Sequence, residues 1–305
     1  MGLRPISGEY FADMGRYSRR FLAFAQGIPF NPEKEWLFEA YTYFCAQFMT
    51  VHMYFLTCCF LYIYPMYALS KKYFDKYYSY SLLFLFLAMS FWAYGTNGIR
   101  NGLATSLFLY ALVFDNKMLR VLLMIGSTFL HTSLILPVLV FYLTYFTRNK
   151  TSLIVWLWVV SIPVSLVAGE MFEGIVAQLN TGDDARLMSY VGELEDGIEN
   201  AKVGFRWDFI IYSSTVVFSG WYFIVKRQFQ DIMYERLMHT YIINNLFWIL
   251  IIRANFTNRF AYLSWFLMGI IIIYPLLKKE YFHHQNRWIA LFMVLYFSIT
   301  YLIMT

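Results

Sequence analysis

The chain has 305 residues, of which 60% are hydrophobic and 14% are charged, and its mean hydropathy is +0.50. This composition excludes an ordinary soluble domain and predicts an all-α protein that crosses a membrane many times. The net charge of +5 does not indicate nucleic-acid binding, because the basic residues form short clusters between apolar runs.

The N-terminal 50 residues are the first part of what we predict to be a single membrane domain over residues 1–305. They carry basic and acidic side chains, and the topology below makes them an external segment. Within them, Trp36 to Met49 is apolar enough to lead into the first span as one long helix. Neither a signal peptide nor a spanning helix precedes this segment, so we expect a part of the protein upstream of it to be missing.

Apolar runs of the length needed to cross a bilayer predict about eight full spans. They lie near residues 51–70, 79–95, 99–114, 151–168, 207–226, 238–253, 260–277 and 287–304. A further apolar stretch from Met118 to Phe146 is interrupted around His131. Because both of its flanks carry basic residues, we predict a broken helical hairpin that enters and leaves on the cytoplasmic side.

Arg100 lies between two apolar runs, at a junction that the lysine-rich loops on either side place outside the cytoplasm. The basic residues left on this external side are mostly arginine, whereas most of those on the cytoplasmic side are lysine. Arginine binds phosphate or carboxylate with two parallel hydrogen bonds, so the external arginines predict an anion-binding face.

Residues 169–205 form a second external segment, an acidic loop that is either a lid or a solvated connection. Its exit places Arg206 and Asp208 at the start of a span. A third external feature is the hairpin 253–259, which contains Arg253, Asn255, Asn258 and Arg259. This hairpin either clamps an anionic headgroup or directs its arginines to ordinary lipid phosphates.

Three segments, Gly98 to Ala104, Leu107 to Tyr110 and Phe129 to Ile135, carry short motifs. Shorter ones are Gly2-Leu3-Arg4 with Gly8 and Tyr17, Gly204 to Asp208 and Asn255 to Phe260. In these motifs the chain resembles the EpsG/Wzy-type polysaccharide polymerases.

This resemblance implies a GT-C-like helical bundle in the bacterial cytoplasmic membrane, with its active site on the external face. It implies transfer of a growing glycan from a polyprenyl diphosphate carrier to a sugar hydroxyl of a new lipid-linked repeat unit. The partners are then the lipid-linked donor and acceptor, membrane lipids and a chain-length regulator, without nucleic acid. No cofactor is expected.

Such a reaction needs groups that bind the diphosphate leaving group and a group that takes up one proton. The candidates for diphosphate binding are arginines, first Arg100 and then Arg253, Arg259, Arg206 and Arg4. The supporting candidates are Asn97, Gly98, Asn101, Asn255 and Asn258. Asn97 is expected to cap the helix that begins beside it, and Gly98 and Gly102 either admit a phosphate or serve helix packing.

Two residues are candidates for the base. His131 either accepts the acceptor's proton or bonds to the backbone and helps turn the hairpin. Asp208 is the other candidate base, and its alternative role is an ion pair with Arg206. The external segments contain no Asp-x-Asp motif and no Cys or His cluster with metal-ligand spacing, so we predict a metal-independent enzyme.

Two other classes remain open. An O-antigen-ligase-like glycosyltransferase uses the same carrier, although such ligases generally have a larger external loop than residues 169–205. A lipid-linked oligosaccharide flippase would carry cationic residues along a cavity that opens to both faces, often with an internal repeat, which this sequence lacks.

Overall fold

The computed structural model describes residues 1–7, 10–31, 35–179, 204–254 and 257–304, and in these ranges the chain is all-α, without a strand. The helices are α1 Ala12–Ala25, α2 Trp36–Ala46, α3 Val51–Phe74, α4 Tyr78–Leu87, α5 Met89–Thr96, α6 Ile99–Ala111, α7 Lys117–Leu130, α8 Ile135–Leu143, α9 Thr151–Leu179, α10 Trp207–Trp221, α11 Ile232–Leu250, α12 Asn258–Trp265, α13 Met268–Lys278 and α14 Gln285–Met304. Short 3₁₀ turns at Asp75–Tyr77, Thr132–Leu134 and Thr144–Phe146 and a π turn at Tyr222–Lys226 complete the helical structure.

Within the described residues, five helical segments are long and apolar enough to cross a membrane. They are Val51–Leu87, Thr151–Phe172, Trp207–Lys226, Asn258–Lys278 and Gln285–Ile303. These segments confirm an all-α polytopic bundle. The expected span 79–95 is divided at Ala88, whose extended backbone separates α4 from α5. The expected span 99–114 is the short helix α6.

The N-terminal segment contains two helices that hydropathy alone does not define. α1 buries Met14, Tyr17, Phe21 and Phe24 on one face, at the spacing of an amphipathic helix. The expectation of one continuous helix from Trp36 into the first span is wrong. α2 ends at Ala46, and α3 begins anew after Thr50, whose hydroxyl oxygen accepts a hydrogen bond from the Met53 amide at 3.3 Å.

The described residues form two compact units, and the first contains Met1–Leu139 and Leu276–Phe297. Its centre is α6, which packs against α3 and α7 and buries most of its side chains. Gly102 allows this close packing, because a Cβ atom there would lie 3.2 Å from both the Tyr62 ring and the Tyr94 carbonyl oxygen. Ser106 ties α6 to α3 by donating a hydrogen bond to the Tyr62 carbonyl at 2.6 Å.

The predicted helix break at His131 is confirmed. α7 ends at Leu130, His131 is extended, and a single 3₁₀ turn leads into α8. The imidazole Nδ1 accepts a hydrogen bond from the Ser133 amide at 3.2 Å and so caps that turn.

The second unit contains Val140–Pro275 and Ser298–Thr305. α11 packs against α9, α10 and α12 around a buried polar network. The Asn245 amide group donates hydrogen bonds to the Ser213 and Ser264 hydroxyls, both at 3.0 Å, and its oxygen accepts one from the Trp158 indole at 2.7 Å. These bonds join helices without leaving the buried amide unsatisfied.

The first part of the predicted loop 169–205 is helical, since α9 continues from Thr151 to Leu179. Residues 180–203 lie outside the described residues.

Candidate functional site

Arg100 lies in the first turn of α6 and is the centre of a polar cluster in the first unit. Its Nε donates a hydrogen bond to the Tyr17 hydroxyl at 3.0 Å, and its Nη1 forms an ion pair with Glu35. The guanidinium carbon also lies 5.5 Å from the Tyr17 ring centroid and 5.9 Å from that of Phe38. Because only 18% of the side chain is exposed, these contacts hold the cation in a largely desolvated position.

Glu35 lies directly before α2, and its carboxylate joins Arg100 to the break between α7 and α8. Oε2 pairs with Arg100, while Oε1 lies 3.5 Å from His131 Nε2 and accepts a hydrogen bond from the Thr132 amide at 3.3 Å. The backbone of Glu35 is left-handed, with φ 59° and ψ 38°. Such a conformation is uncommon for a residue with a side chain and persists where surrounding contacts fix it.

Both ring nitrogens of His131 lie close to polar groups of the cluster. Nδ1 accepts from the Ser133 amide and lies 2.8 Å from the Ser133 hydroxyl, which in turn bonds to the Asn101 side-chain oxygen at 3.1 Å. An amide N–H can only donate, so Nδ1 is the acceptor and the proton of the neutral ring is assigned to Nε2. Nε2 faces Glu35. The interaction with the backbone expected for His131 is therefore present.

Tyr17 supports the cluster from α1. Burial raises the pKa of its hydroxyl, although the Arg100 guanidinium opposes this shift. The hydroxyl is therefore neutral at ordinary pH and accepts the hydrogen bond from Arg100. Its ring packs edge-on against Phe38 of α2, with the ring centroids 5.2 Å apart.

Arg4 has a different set of partners. Its guanidinium donates to the backbone carbonyls of Gly95, at 2.8 Å, and Thr96, which are the last residues of α5. Burial lowers the pKa of Arg4. A cation at the end of a helix satisfies its unpaired carbonyl groups, so Arg4 acts here as a C-terminal cap.

Asn97 does not cap α6 as expected. Gly98 is the N-cap residue of that helix, and no side chain caps it. The Asn97 side-chain oxygen instead accepts a hydrogen bond from the Asp13 amide at 3.0 Å and so caps the first turn of α1. A Cβ atom on Gly98 would lie 3.1 Å from the Tyr94 ring, which favours packing as the role of this glycine.

In the second unit, Arg206 and Asp208 form a bidentate ion pair at the start of α10. Arg206 Nε lies 2.9 Å from Oδ1, and Nη2 lies 2.5 Å from Oδ2. Both carboxylate oxygens of Asp208 therefore accept from arginine, which is the alternative expected for this residue. The guanidinium also stacks on Phe209, 3.6 Å from the ring centroid.

Arg253 is held by the second half of α9. Its Nη1 lies 3.4 Å from the Ser165 carbonyl oxygen, and its Nη2 lies 3.3 Å from that of Leu166. The guanidinium carbon is 5.7 Å from the ring centroid of Phe205, so Arg253 lies beside the segment that carries Arg206. A Cβ atom on Gly169 would lie 3.1 Å from Arg253 Nη1, so this glycine gives the guanidinium room.

The C-terminal end of the predicted hairpin 253–259 lies on α12. Asn258 is the first residue of α12, and its side chain bonds to the Tyr262 hydroxyl. Arg259 follows it and is also close enough to Tyr262 to interact electrostatically. Asn255 lies outside the described residues.

The sequence profile of the EpsG family matches residues 6–305. The chain belongs to the EpsG family. This is the family of Wzy-type polysaccharide polymerases, so the chain has a glycosyltransferase-type polymerase function, and its apolar helices make it a multi-pass membrane protein. No curated protein and no solved structure matches the chain.

For this EpsG-family chain, the first unit brings Arg100, Asn101 and His131 into one cluster. Arg206, Asp208, Arg253, Asn258 and Arg259 belong to the second unit. In the ranges that the structure describes, no three His, Cys, Asp or Glu residues are grouped so as to hold a metal ion.

The sequence does not single out Glu35, and it indicates Tyr17 only as part of the family pattern, without a role in the site. Both belong to the polar N-terminal segment, where an acidic residue before an aromatic helix has many ordinary explanations. The available signal is the acidic Glu35 directly before the apolar run that begins at Trp36. Arg100, predicted to be external, requires such a counter-ion. That signal does not identify which of the N-terminal acidic residues is the partner.

Proposed function

We propose that this EpsG-family chain polymerises polyprenyl-diphosphate-linked oligosaccharide repeat units on the external face of the bacterial cytoplasmic membrane. The growing glycan moves from its diphosphate carrier to a sugar hydroxyl of a new lipid-linked repeat unit. The observation that carries the proposal is the Arg100 cluster. In it, a largely buried guanidinium lies beside a carboxylate and an imidazole.

This arrangement suits glycosyl transfer from a diphosphate. The leaving group departs with negative charge, which a desolvated guanidinium stabilises more strongly than one in water. Nη2 of Arg100 makes no hydrogen bond to any described residue, so it is available to a phosphate oxygen. Several arginines can supply the positive charge that a divalent cation supplies in other enzymes. Arg206, Arg253, Arg259 and Arg4 remain further candidates for the diphosphate.

The test supplies the purified protein with one defined lipid-linked repeat unit and examines the products by electrophoresis. A ladder of products is expected, and it should persist in the presence of a chelator. A flippase would leave the repeat unit unchanged, and a ligase would extend only a different acceptor. Either result would overturn the proposal.

Two substitutions connect the activity to Arg100. Arg100→Ala should abolish the ladder and leave single repeat units accumulating. Arg100→Lys should also impair it, because lysine keeps the charge but cannot hold Tyr17 and bind a phosphate with the same planar group. The matched control is Arg20→Ala, since Arg20 of α1 pairs with Glu39 at 2.7 Å, outside the cluster. A normal ladder from Arg100→Ala would exclude the diphosphate role.

A further inference from the structure

Glu35 is a carboxylate that the sequence motifs do not include, yet it contacts both candidate functional groups of the first unit. One oxygen pairs with Arg100, and the other faces His131 Nε2 at 3.5 Å. Only 12% of its side chain is exposed. A carboxylate held between the expected leaving-group cation and an imidazole is placed to exchange a proton near the reacting atoms.

The partners of Glu35 explain why it can change roles. Its carboxylate neutralises Arg100 at Nη1, where a substrate diphosphate would also bind. A diphosphate carries more charge than a carboxylate and also fits the fork of a guanidinium, so it can replace Glu35 there. Arg100 would keep its Nε contact with Tyr17 during this exchange, because that bond uses another nitrogen.

His131 lies on the other side of the carboxylate, with Nε2 3.5 Å from Oε1. Since Nδ1 accepts from the Ser133 amide, the neutral ring carries its proton on Nε2. In this tautomer Nε2 has no lone pair to receive a proton. The Thr132 amide donates to the same oxygen.

We infer that Glu35 is the catalytic base of the polymerisation reaction and that the substrate diphosphate frees it by replacing it at Arg100. This inference rests on the proposed function. The acceptor hydroxyl oxygen bonds to the anomeric carbon of the donor glycan, and its proton passes to the Glu35 carboxylate. The bond between that carbon and the diphosphate oxygen breaks, and its electron pair leaves with the diphosphate beside Arg100. Glu35 then loses the proton to water.

The inference gives Glu35→Gln two effects of opposite sign. Binding of a short-chain prenyl diphosphate, measured by calorimetry on the full chain in detergent, should become several-fold tighter, because the competing carboxylate is gone. Turnover of the defined lipid-linked repeat unit should fall by about 100-fold or more, the usual contribution of a general base. Glu35→Asp keeps the charge but shortens the side chain, so it should bind the diphosphate like the wild type and retain more turnover than Gln.

Glu39→Gln is the matched control. Glu39 lies on α2 and pairs with Arg20, so its substitution removes an ion pair of the same type outside the cluster. Both its diphosphate binding and its turnover should match the wild type.

Each other outcome has a definite meaning. Tighter binding with normal or faster turnover makes Glu35 a competitor alone and overturns its role as base. Weaker binding with lost turnover makes it a structural support and also overturns the inference. If Glu35→Gln does not fold, Glu35→Asp decides, and wild-type turnover of that variant would overturn the inference. If the wild-type protein forms no ladder, the proposed function itself is refuted. If the wild type is active and only the Glu35→Gln variant is slow, the proposed function stands.

Discussion

The ion pair between Arg100 and Glu35 can be measured by its contribution to stability. The perturbation is a double-mutant cycle that combines Arg100→Gln with Glu35→Gln. Removing one partner of a buried ion pair leaves the other charge desolvated and costs about 3–5 kcal/mol. Here the Arg100 and Glu35 side chains are 18% and 12% exposed. We therefore expect the lower end of that range, about 3 kcal/mol for each single variant.

The double variant tests the coupling directly. It removes both charges, so it should cost less than the two single variants added together. We expect a coupling free energy of about 2 kcal/mol, within the range for residues in direct contact. In the assay, the purified protein in mixed micelles is unfolded by increasing the fraction of a denaturing detergent, and the loss of helix is followed by circular dichroism.

The pair between Arg20 and Glu39 is the control cycle. Its side chains are 40% and 26% exposed, and ion pairs of that kind contribute about 0–1 kcal/mol. A coupling at Arg100 and Glu35 no larger than this control would refute the reasoning, since the argument depends on burial and not on distance.

Three further predictions concern packing and capping, and the same unfolding assay measures them. Thr50→Ala should cost about 1 kcal/mol, because it removes the hydroxyl that caps the first turn of α3; an unchanged stability would mean that another group caps it. Gly102→Ala should cost about 1–3 kcal/mol by overpacking against the Tyr94 carbonyl. The control Gly126→Ala, where the nearest atom lies at an ordinary 3.5 Å, should be neutral or stabilising, and equal losses at both glycines would contradict the packing argument. Arg4→Ala should cost about 1–3 kcal/mol because it leaves partly buried carbonyls at the end of α5 unsatisfied, and no loss would indicate that water replaces the guanidinium.

Five of the eight expected spans coincide with described helical segments that are long and apolar enough to cross a membrane, because a crossing constrains length and hydropathy together. The span expected at 207–226 corresponds to α10 and the π turn that ends at Lys226. The break at His131 is also predictable, since a histidine followed by Thr and Ser interrupts a long apolar run. The boundary between α2 and α3 is less accessible, because Thr50 acts as a cap only if the chain turns there.

Contacts between distant residues limit prediction of the site. Arg100 and His131 can be selected from sequence because each is unusual in its own surroundings. Glu35 cannot, because it is 65 residues away from Arg100 in the chain and nothing near either residue specifies the pairing. Asn97 shows the same limit. The sequence places it next to a helix start, but the amide that it caps belongs to Asp13, 84 residues away.

The surroundings of Arg100 come mainly from two helices that are shorter than the candidate membrane spans. Tyr17 belongs to α1, Phe38 belongs to α2, and Glu35 directly precedes α2. The polar N-terminal segment therefore supplies the counter-charge that makes a largely buried arginine tolerable in the absence of substrate. On the proposed function, an anion that binds Arg100 must compete with that counter-charge. We therefore expect a ligand with two adjacent phosphates to bind more tightly than a neutral sugar, because it offsets the displaced carboxylate with more than one charge-assisted hydrogen bond.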